Sequence, residues 1–430
     1  MVARKKRFIN GYALTEEQDT VVVGAIKGIS MRVHAFAGSG KTSTLEAVSE
    51  YMPAGKKGIY IAYSAPIAKE ASGKFPRHIT CKTGHSLAYA ATIRKSPALK
   101  MKFEQANNGA SLSFSDIQKA TGMHAYHNSL GISNIRVYTS LQKTVSNFLQ
   151  SSDKTLSKQH LSPAVLSWGK GDTVGHIDYS KEVVKLSNKL WDAMSSPNNP
   201  CGLTHDGYLK IYQLSDPIIK TDYIMVDEAQ DTNPVLFDIL SKQSCQIIWV
   251  GDAHQSIYSW RGAVDAMSKI NCDQHNLTSS FRFGDDIAKM ANNCLIWKGE
   301  QNKIKGLGRP IKPFNENAKK TVLCRSNAGI LKQALNAHKI GKKIFVIGGG
   351  DSIAKLLDSA YALSIGDNKN NRSRELIEFG DWKEYQDYAN ESQDLEAKRL
   401  IKAIDHFGAK TPLVASQLRS SIIKNEADAD

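Results

Sequence analysis

Apolar positions along the chain fall into short buried runs separated by amphipathic stretches. Met31 to Phe36 is apolar and β-branched and predicts a strand, and Thr42 to Met52 places Leu45, Val48 and Met52 on one helical face. Gly58 to Tyr63 predicts a second buried strand, Ile67 to Phe75 a helix and Ile79 to Thr83 a third strand, with Gly84-His85-Ser86 opening a further helix. Upstream, Leu14-Thr15-Glu16-Glu17-Gln18 opens a helix that runs on through Val22 and Ile26. Strand and helix alternating at this spacing predict an α/β fold on a parallel sheet. From about Thr92 to Cys201 the strand patterns fade. Polar, basic helical segments such as Thr139 to Phe148 and Lys181 to Met194 replace them, and the Ser-Ser-Pro-Asn-Asn-Pro run at 195–200 serves as an exit linker. The sheet resumes at Tyr223 to Val226 and again at Gln246 to Val250. Near the end, Trp382, Tyr385, Tyr388, Leu395 and Leu400 recur at helical spacings and predict a small helical unit with an aromatic core.

Composition adds partner chemistry to this outline. A chain of 430 residues is long enough for two or three domains with substantial cores. No apolar run reaches membrane-span length, and the basic start Arg4-Lys5-Lys6-Arg7 has no apolar segment behind it, so neither a membrane span nor a secretory signal is expected. The six cysteines are widely spaced, form no metal-like pairs, and are expected as reduced thiols that mostly fill the core. The formal net charge of +14 attracts polyanions and is consistent with a nucleic-acid partner, although solubility alone accounts for it equally well.

The candidate chemistry is concentrated where strands end. Ala35-Phe36-Ala37-Gly38-Ser39-Gly40-Lys41-Thr42 is a phosphate-binding loop with Ala in place of its first Gly, set between a strand and a helix. Gly38 and Gly40 let the backbone N–H groups of Ala37 to Ser43 turn toward phosphate oxygens, and the helix N-terminus adds positive partial charge. Lys41 reaches the β- and γ-phosphates, and the Thr42 hydroxyl can ligate Mg²⁺. Tyr223-Ile224-Met225-Val226-Asp227-Glu228 carries a buried strand into two carboxylates. Asp227 is suited to hold Mg²⁺ and Glu228 to orient and deprotonate water. After the next strand, Gln255 is placed to sense a γ-phosphate, and Tyr258 and Trp260 offer aromatic faces to bases, with an ordinary core role for Trp260 as the alternative. Thr15 and Gln18 have capping-box spacing, while a Gln amide also suits an adenine edge; both readings stay open.

Together these residues spell a family. The chain resembles superfamily 1 DNA helicases of the UvrD/Rep type, most of all the helicase portion of F-box DNA helicases, from about Thr15 onward. The resemblance is carried by the phosphate loop, by Val226-Asp227-Glu228-Ala229-Gln230-Asp231 and by Val250-Gly251-Asp252-Ala253-His254-Gln255-Ser256-Ile257-Tyr258. Thr204-His205-Asp206-Gly207-Tyr208-Leu209-Lys210 and Cys81-Lys82-Thr83-Gly84-His85-Ser86-Leu87-Ala88 resemble the F-box branch in particular. The resemblance implies two RecA-like P-loop NTPase domains with helical insertions, the second incomplete. The first domain would comprise 1–91 and 202–279, with a helical insertion at 92–201. The second would begin over 280–350, and 351–430 would be a small helical insertion with the chain ending before the rest.

By the same resemblance, Gln18 reads adenine, Phe281 stacks on it, Arg282 touches the γ-phosphate from the second domain, and Gln255 couples that phosphate to the DNA site. Tyr63, Thr83, His85, Tyr258 and Trp260 match strand-contacting positions; Arg325, after the first strand of the second domain, is as readily a structural arginine. Ala65-Pro66 stands where a polar pair is usual, and Gly84 where a Phe is common. The family's later signatures, a Thr-x-His-x-x-Lys-Gly-like run and a Leu-Thr-Arg-like run, do not occur. The expectation is an ATP- and Mg²⁺-dependent translocase moving 3′ to 5′ on single-stranded DNA and at single/double-strand junctions. The alternative is a shortened or split helicase that binds ATP and DNA but needs a partner chain for turnover. The expected compartment is the cytoplasm of a bacterium or of a virus-infected cell, or the nucleus in a eukaryote.

Overall fold

The computed structural model describes residues 6–106, 108–109, 112–123, 134–162, 165, 179–256, 266–311, 319–324, 327–347, 350–367, 370–371, 373, 376, 379, 381–391, 395–423 and 426–429. Contacts group the chain into two units. The first is Met1–Leu112, Val145–Leu156 and Trp191–Pro313; the second is Ser113–Thr144, Ser157–Leu190 and Phe314–Asp430.

The first unit is built on six parallel strands: β1 (Met31–Ala35), β2 (Gly58–Ala62), β3 (Ile79–Thr83), β4 (Tyr223–Val226), β5 (Gln246–Gly251) and β6 (Asp273–Leu277). Their order across the sheet is β3-β2-β4-β5-β1-β6. Side chains alternate between two apolar layers, as strands buried on both faces must. Tyr223, Met225, Ile248 and Val250 join Val33, Val21, Leu45 and Val48 on one side. Ile224, Val226, Ile247 and Trp249 join Ile61 and Leu240 on the other.

The register aligns the strand ends. Val33 pairs with Val250, Val226 with Trp249, Ile61 with Val226 and Ala62 with Thr83. Because all six strands run the same way, the residues just past their ends share one edge of the sheet: Phe36, Tyr63, Gly84, Asp227, Asp252 and Thr278. In open α/β sheets that carboxyl edge is where ligands bind.

Between Thr92 and Cys201 the described residues form helices and no strand, with long helices at Asn134–Gln150 and Tyr179–Ser195, and the contacts divide this stretch between the two units. Buried lysines tie its ends down. The Lys102 ammonium donates to the carbonyls of Ala193, Ser196 and Asn199 at 2.6, 2.6 and 2.9 Å. Lys210 donates to the carbonyls of Ser151 and Asp153 and sits 4.3 Å from the centre of the Phe148 ring. Burial pushes the Lys210 pKa down to about 8.

The segment from Ser279 to Pro313 groups with the first unit, whereas the sequence places a domain boundary at 280. Ser279–Ser280 pairs in parallel with Lys305–Gly306, and Asp285–Trp297 is a helix. In the second unit, neither Thr321–Cys324 nor Lys343–Ile347 forms a strand, and the pairing seen there among the described residues is a parallel bridge between Ile344 and Ile422. An extended segment needs a laddered neighbour to become a strand, and Leu323 is instead 92% exposed. The rest of that unit is helical. Helices Gly350–Ser364 and Thr411–Ser421 pack together, with Arg419 donating to Asp358 at 2.6 Å. Tyr385 is buried in a ring cluster with Phe379 and Tyr388, as the aromatic spacing predicts, but Leu395 is exposed. None of the six cysteines is in a disulfide; Cys201 is buried, Cys81, Cys245 and Cys272 pack half-buried against the core layers, and Cys294 is exposed. Among the described residues, no helix is long and apolar enough to cross a membrane.

Candidate functional site

The loop after β1 follows the phosphate-loop design. Gly38 and Gly40 take φ of +73° and +81°, and Gly40 caps the helix Lys41–Tyr51. Close approach demands the first glycine as strongly as its φ does. A Cβ on Gly38 would lie 2.5 Å from the Arg282 Cβ and 2.7 Å from the Ser280 Oγ. The strand pair at 279–280 thus presses the following residues onto the loop. The Ser280 hydroxyl donates to the Ala37 carbonyl at 2.8 Å and the Phe281 N–H to the Gly38 carbonyl at 2.8 Å. Ser39 is buried, its hydroxyl without a hydrogen-bond partner among the described residues, and Ser43 is half-buried in the first helical turn.

Opposite the loop, Asp227 leaves β4 with its N–H still donating to Ile61. Its Oδ2 accepts from Thr42 Oγ1 at 3.1 Å and from the Tyr60 hydroxyl at 2.6 Å. Burial pushes the Asp227 carboxyl above the usual range. The Tyr60 hydrogen bond opposes this shift, and the neighbouring Glu228 adds to it. Burial, followed by Asp227, also pushes the Tyr60 hydroxyl up, so it stays a donor. A hydroxyl and a carboxylate oxygen side by side are hard donors that fit Mg²⁺. Glu228 takes φ of +48°, an unusual backbone for a residue with a side chain. Its carboxylate lies 3.2 Å from Lys41 Nζ and accepts from Gln230 Nε2 at 2.9 Å.

Gln230 links the two strand ends, because its Oε1 accepts from the Asp252 N–H at 2.9 Å. Asp252 in turn accepts from Gln255 Nε2 at 2.6 Å and from the His254 N–H at 3.0 Å. Burial alone would raise the Asp252 pKa. The facing His34 ring, the Gln255 amide, the His254 N–H and the Lys41 charge outweigh it and hold the carboxyl low.

On the other side of the loop, Gln18 makes the capping contact and also lies beside the loop. Its Oε1 accepts from the Thr15 N–H at 3.0 Å while its own N–H donates to Thr15 Oγ1 at 3.2 Å, which is the reciprocal cap. Its Nε2 lies 2.9 Å from the place a Cβ on Gly40 would occupy, with the Phe281 ring at 3.7 Å from the same point. A carbonyl oxygen has two lone pairs, so the cap leaves one for a base edge. Phe281 is half exposed, and Arg282 is exposed with its guanidinium unpartnered among the described residues.

The remaining positions lie along the same edge. Tyr63 follows β2 and is 36% exposed. Thr83 ends β3 and caps the helix Gly84–Ala91 in a reciprocal pair with Ser86. His85 is partly exposed, with Nε2 at 3.5 Å from Asp206 Oδ1. Gly84 explains its own departure from the usual Phe, since a Cβ there would meet the Leu236 side chain at 2.6 Å. Tyr258, Trp260 and Arg325 lie outside the described residues. The structure therefore gathers Gln18, the loop, Lys41, Thr42, Asp227, Glu228, Gln255, Phe281 and Arg282, with Tyr63, Thr83 and His85 farther along the edge. It also adds Tyr60, Gln230, Asp252 and Ser280. The signal for Tyr60 was a hydroxyl inside an apolar strand, paired in register with Met225 two residues before Asp227.

Residues 67–275 match the family model described as UvrD/REP helicase N-terminal domain, a span that begins after the phosphate loop. Similar proteins include F-box DNA helicase 1 of Gallus gallus, 31% identical over 97% of this chain and 42% of the relative. F-box DNA helicase protein 1 of Schizosaccharomyces pombe is 30% identical over 91% of this chain and 47% of its own length. ATP-dependent DNA helicase Rep of Buchnera aphidicola subsp. Schizaphis graminum is 30% identical over 44% of this chain and 25% of its own. The chain thus spans less than half the length of each of these relatives. The resemblance carried by the motifs holds: residues 67–275 match the UvrD/REP helicase N-terminal domain, in a chain similar along most of its length to F-box DNA helicases.

Proposed function

We propose that this chain is the nucleotide- and strand-binding part of an ATP-dependent DNA helicase that translocates 3′ to 5′ on single-stranded DNA. The observation that carries the reading is the gathering of Lys41, Asp227, Gln255 and Arg282 around one glycine loop at the carboxyl edge of the sheet.

In this reading the loop N–H groups and Lys41 hold the ATP phosphates, and Gln18 and Phe281 hold the adenine. Mg²⁺ held by Thr42 and Asp227 would supply charge neutralisation at the β- and γ-phosphates. Glu228, turned out of the sheet by its positive φ, orients and accepts a proton from the attacking water. Arg282 and Gln255 face the terminal phosphate. Gln255 reports its presence through Asp252 and Gln230 back to Glu228, so hydrolysis and the 252–256 segment move together. The DNA strand lies along the same edge past Tyr63, Thr83 and His85, where stacking rather than edge-reading gives sequence tolerance.

Tailed duplexes test the reading. With ATP, unwinding is expected from a 3′ single-stranded tail and not from a 5′ tail, and is lost in Lys41→Ala. Unwinding from the 5′ tail alone would overturn the polarity. A chain that binds ATP and single strands but hydrolyses only after a second polypeptide is added would favour the split-helicase alternative.

A further inference from the structure

Behind the nucleotide loop lies a second constellation that the proposed reaction does not use. His34 is the fourth residue of β1, and His254 sits in the short turn of helix Ala253–Gln255 just beyond β5. The register sets His34 opposite Gly251, the end of the strand that leads into the turn carrying His254. Glu300 arrives from a distant part of the sequence, after helix Asp285–Trp297.

Their donor atoms converge. His254 Nε2 is 2.8 Å from Glu300 Oε2, and His34 Nδ1 is 3.9 Å from the same oxygen. The two imidazoles are 5.5 Å apart between centroids, and one donor atom from each of the three residues lies within 4.8 Å of the others. Phe36 packs on both rings, at 5.0 and 6.0 Å. All three residues are only partly exposed.

A hydrogen bond between His254 and Glu300 accounts for one of these contacts but leaves His34 unexplained. Its Nε2 is buried with no hydrogen-bond partner among the described residues, and it faces Asp252 Oδ1 at 3.8 Å. A ring that keeps its proton on Nε2, toward that carboxylate, presents a bare Nδ1 lone pair to Glu300 and His254. A carboxylate behind a histidine is the usual support of a metal-bound imidazole.

We propose that His34 Nδ1, His254 Nε2 and a Glu300 carboxylate oxygen form a binding site for a borderline transition-metal cation such as Zn²⁺ or Co²⁺, with Asp252 as the positioning carboxylate behind His34. Two imidazoles and one carboxylate are a donor set for such cations, with further positions left to water. The oxygen pair Thr42–Asp227 is of the opposite kind and suits Mg²⁺, so the two sites select different cations although they lie on the same sheet edge. The site has a consequence for regulation. Asp252 also holds the Gln255 amide, so a cation at the histidines restrains the segment that faces the terminal phosphate.

Co²⁺ is the probe, titrated into the full chain in excess Mg²⁺ and without nucleotide, with its visible d–d absorption as the readout. A saturable band at one equivalent is expected, with no thiolate charge-transfer band. Glu300→Gln, which keeps a partner for His254 and so preserves packing, and His254→Ala should each lower the affinity by about 100-fold or more. Asp252→Asn should weaken it by roughly 10–100-fold while keeping the stoichiometry. Asp227→Asn should leave the band intact. No band at one equivalent, a band indifferent to Glu300→Gln, or a band abolished by Asp227→Asn overturns the proposal.

Discussion

At the residue scale, the most consequential side chain is Asp227, a buried carboxyl whose pKa lies above the usual range because burial disfavours its charge. Two predictions follow from the direction of that shift. A protonated carboxyl cannot ligate a cation, so kcat/KM for Mg·ATP should fall on the acid side with a midpoint above that of an ordinary aspartate. The Tyr60 hydroxyl bonds the charged form and holds the pKa down, so Tyr60→Phe should move the acid limb to still higher pH and leave the alkaline plateau intact. An unmoved limb would remove Tyr60 from the site's electrostatics. The second prediction concerns stability. A folded-state pKa raised above the unfolded value contributes stability at low pH that is lost as pH rises through the folded pKa. Asp227→Asn lacks that loss and should unfold at a higher temperature than the parent at neutral pH, by roughly 0.5–2 kcal/mol, a stability–function trade-off common at active sites. A lower melting temperature for the Asn variant would contradict the assignment of a desolvated carboxylate.

At the element scale, five of the six strands were legible because they are short, mostly apolar runs ended by chemistry-bearing residues, and buried parallel strands read that way; β6, Asp273-Gln274-His275-Asn276-Leu277, lies at the sheet edge, is polar and gave no such signal. The phosphate loop was legible for a local reason, since glycine spacing between a strand and a helix is information held within twelve residues. What was not legible is whatever depends on partners far away in sequence. Nothing near Ser280 shows that its hydroxyl would pin Ala37, nor does anything near Glu300 show that it would meet His34 on β1 and His254 just beyond β5. Leu323 illustrates the opposite failure: an apolar run that looks like a strand stays exposed where no neighbour among the described residues ladders with it. The lysine anchors of the helical insertion belong to the same class of long-range facts. Lys102 holds three carbonyls in the last turn of Tyr179–Ser195 and just beyond it, and an apolar replacement leaves them without their donor. Lys102→Met should therefore lower the unfolding free energy by about 1–3 kcal/mol, measured by denaturant titration. An unchanged midpoint would mean that water replaces the ammonium at no cost.

At the scale of the whole molecule, one sheet edge carries both the glycine loop and the residues proposed to face the DNA strand, in a chain of formal net charge +14. Binding of single-stranded DNA should weaken steeply with salt, with a log–log slope of roughly −0.7 per phosphate contacted. Scrambling the base sequence should matter little. Tyr63→Ala should weaken single-strand binding by about 1–3 kcal/mol, the worth of one stacked base, and leave the salt slope unchanged. A loss of slope instead of stacking energy would place Tyr63 away from the strand. The most direct measurement of the account is the rate of ATP hydrolysis as single-stranded DNA is titrated into the chain. It should rise to saturation in the parent, lose its DNA dependence in Gln255→Ala and vanish in Lys41→Ala. Hydrolysis that ignores the strand in the parent, or that survives in Lys41→Ala, would contradict it.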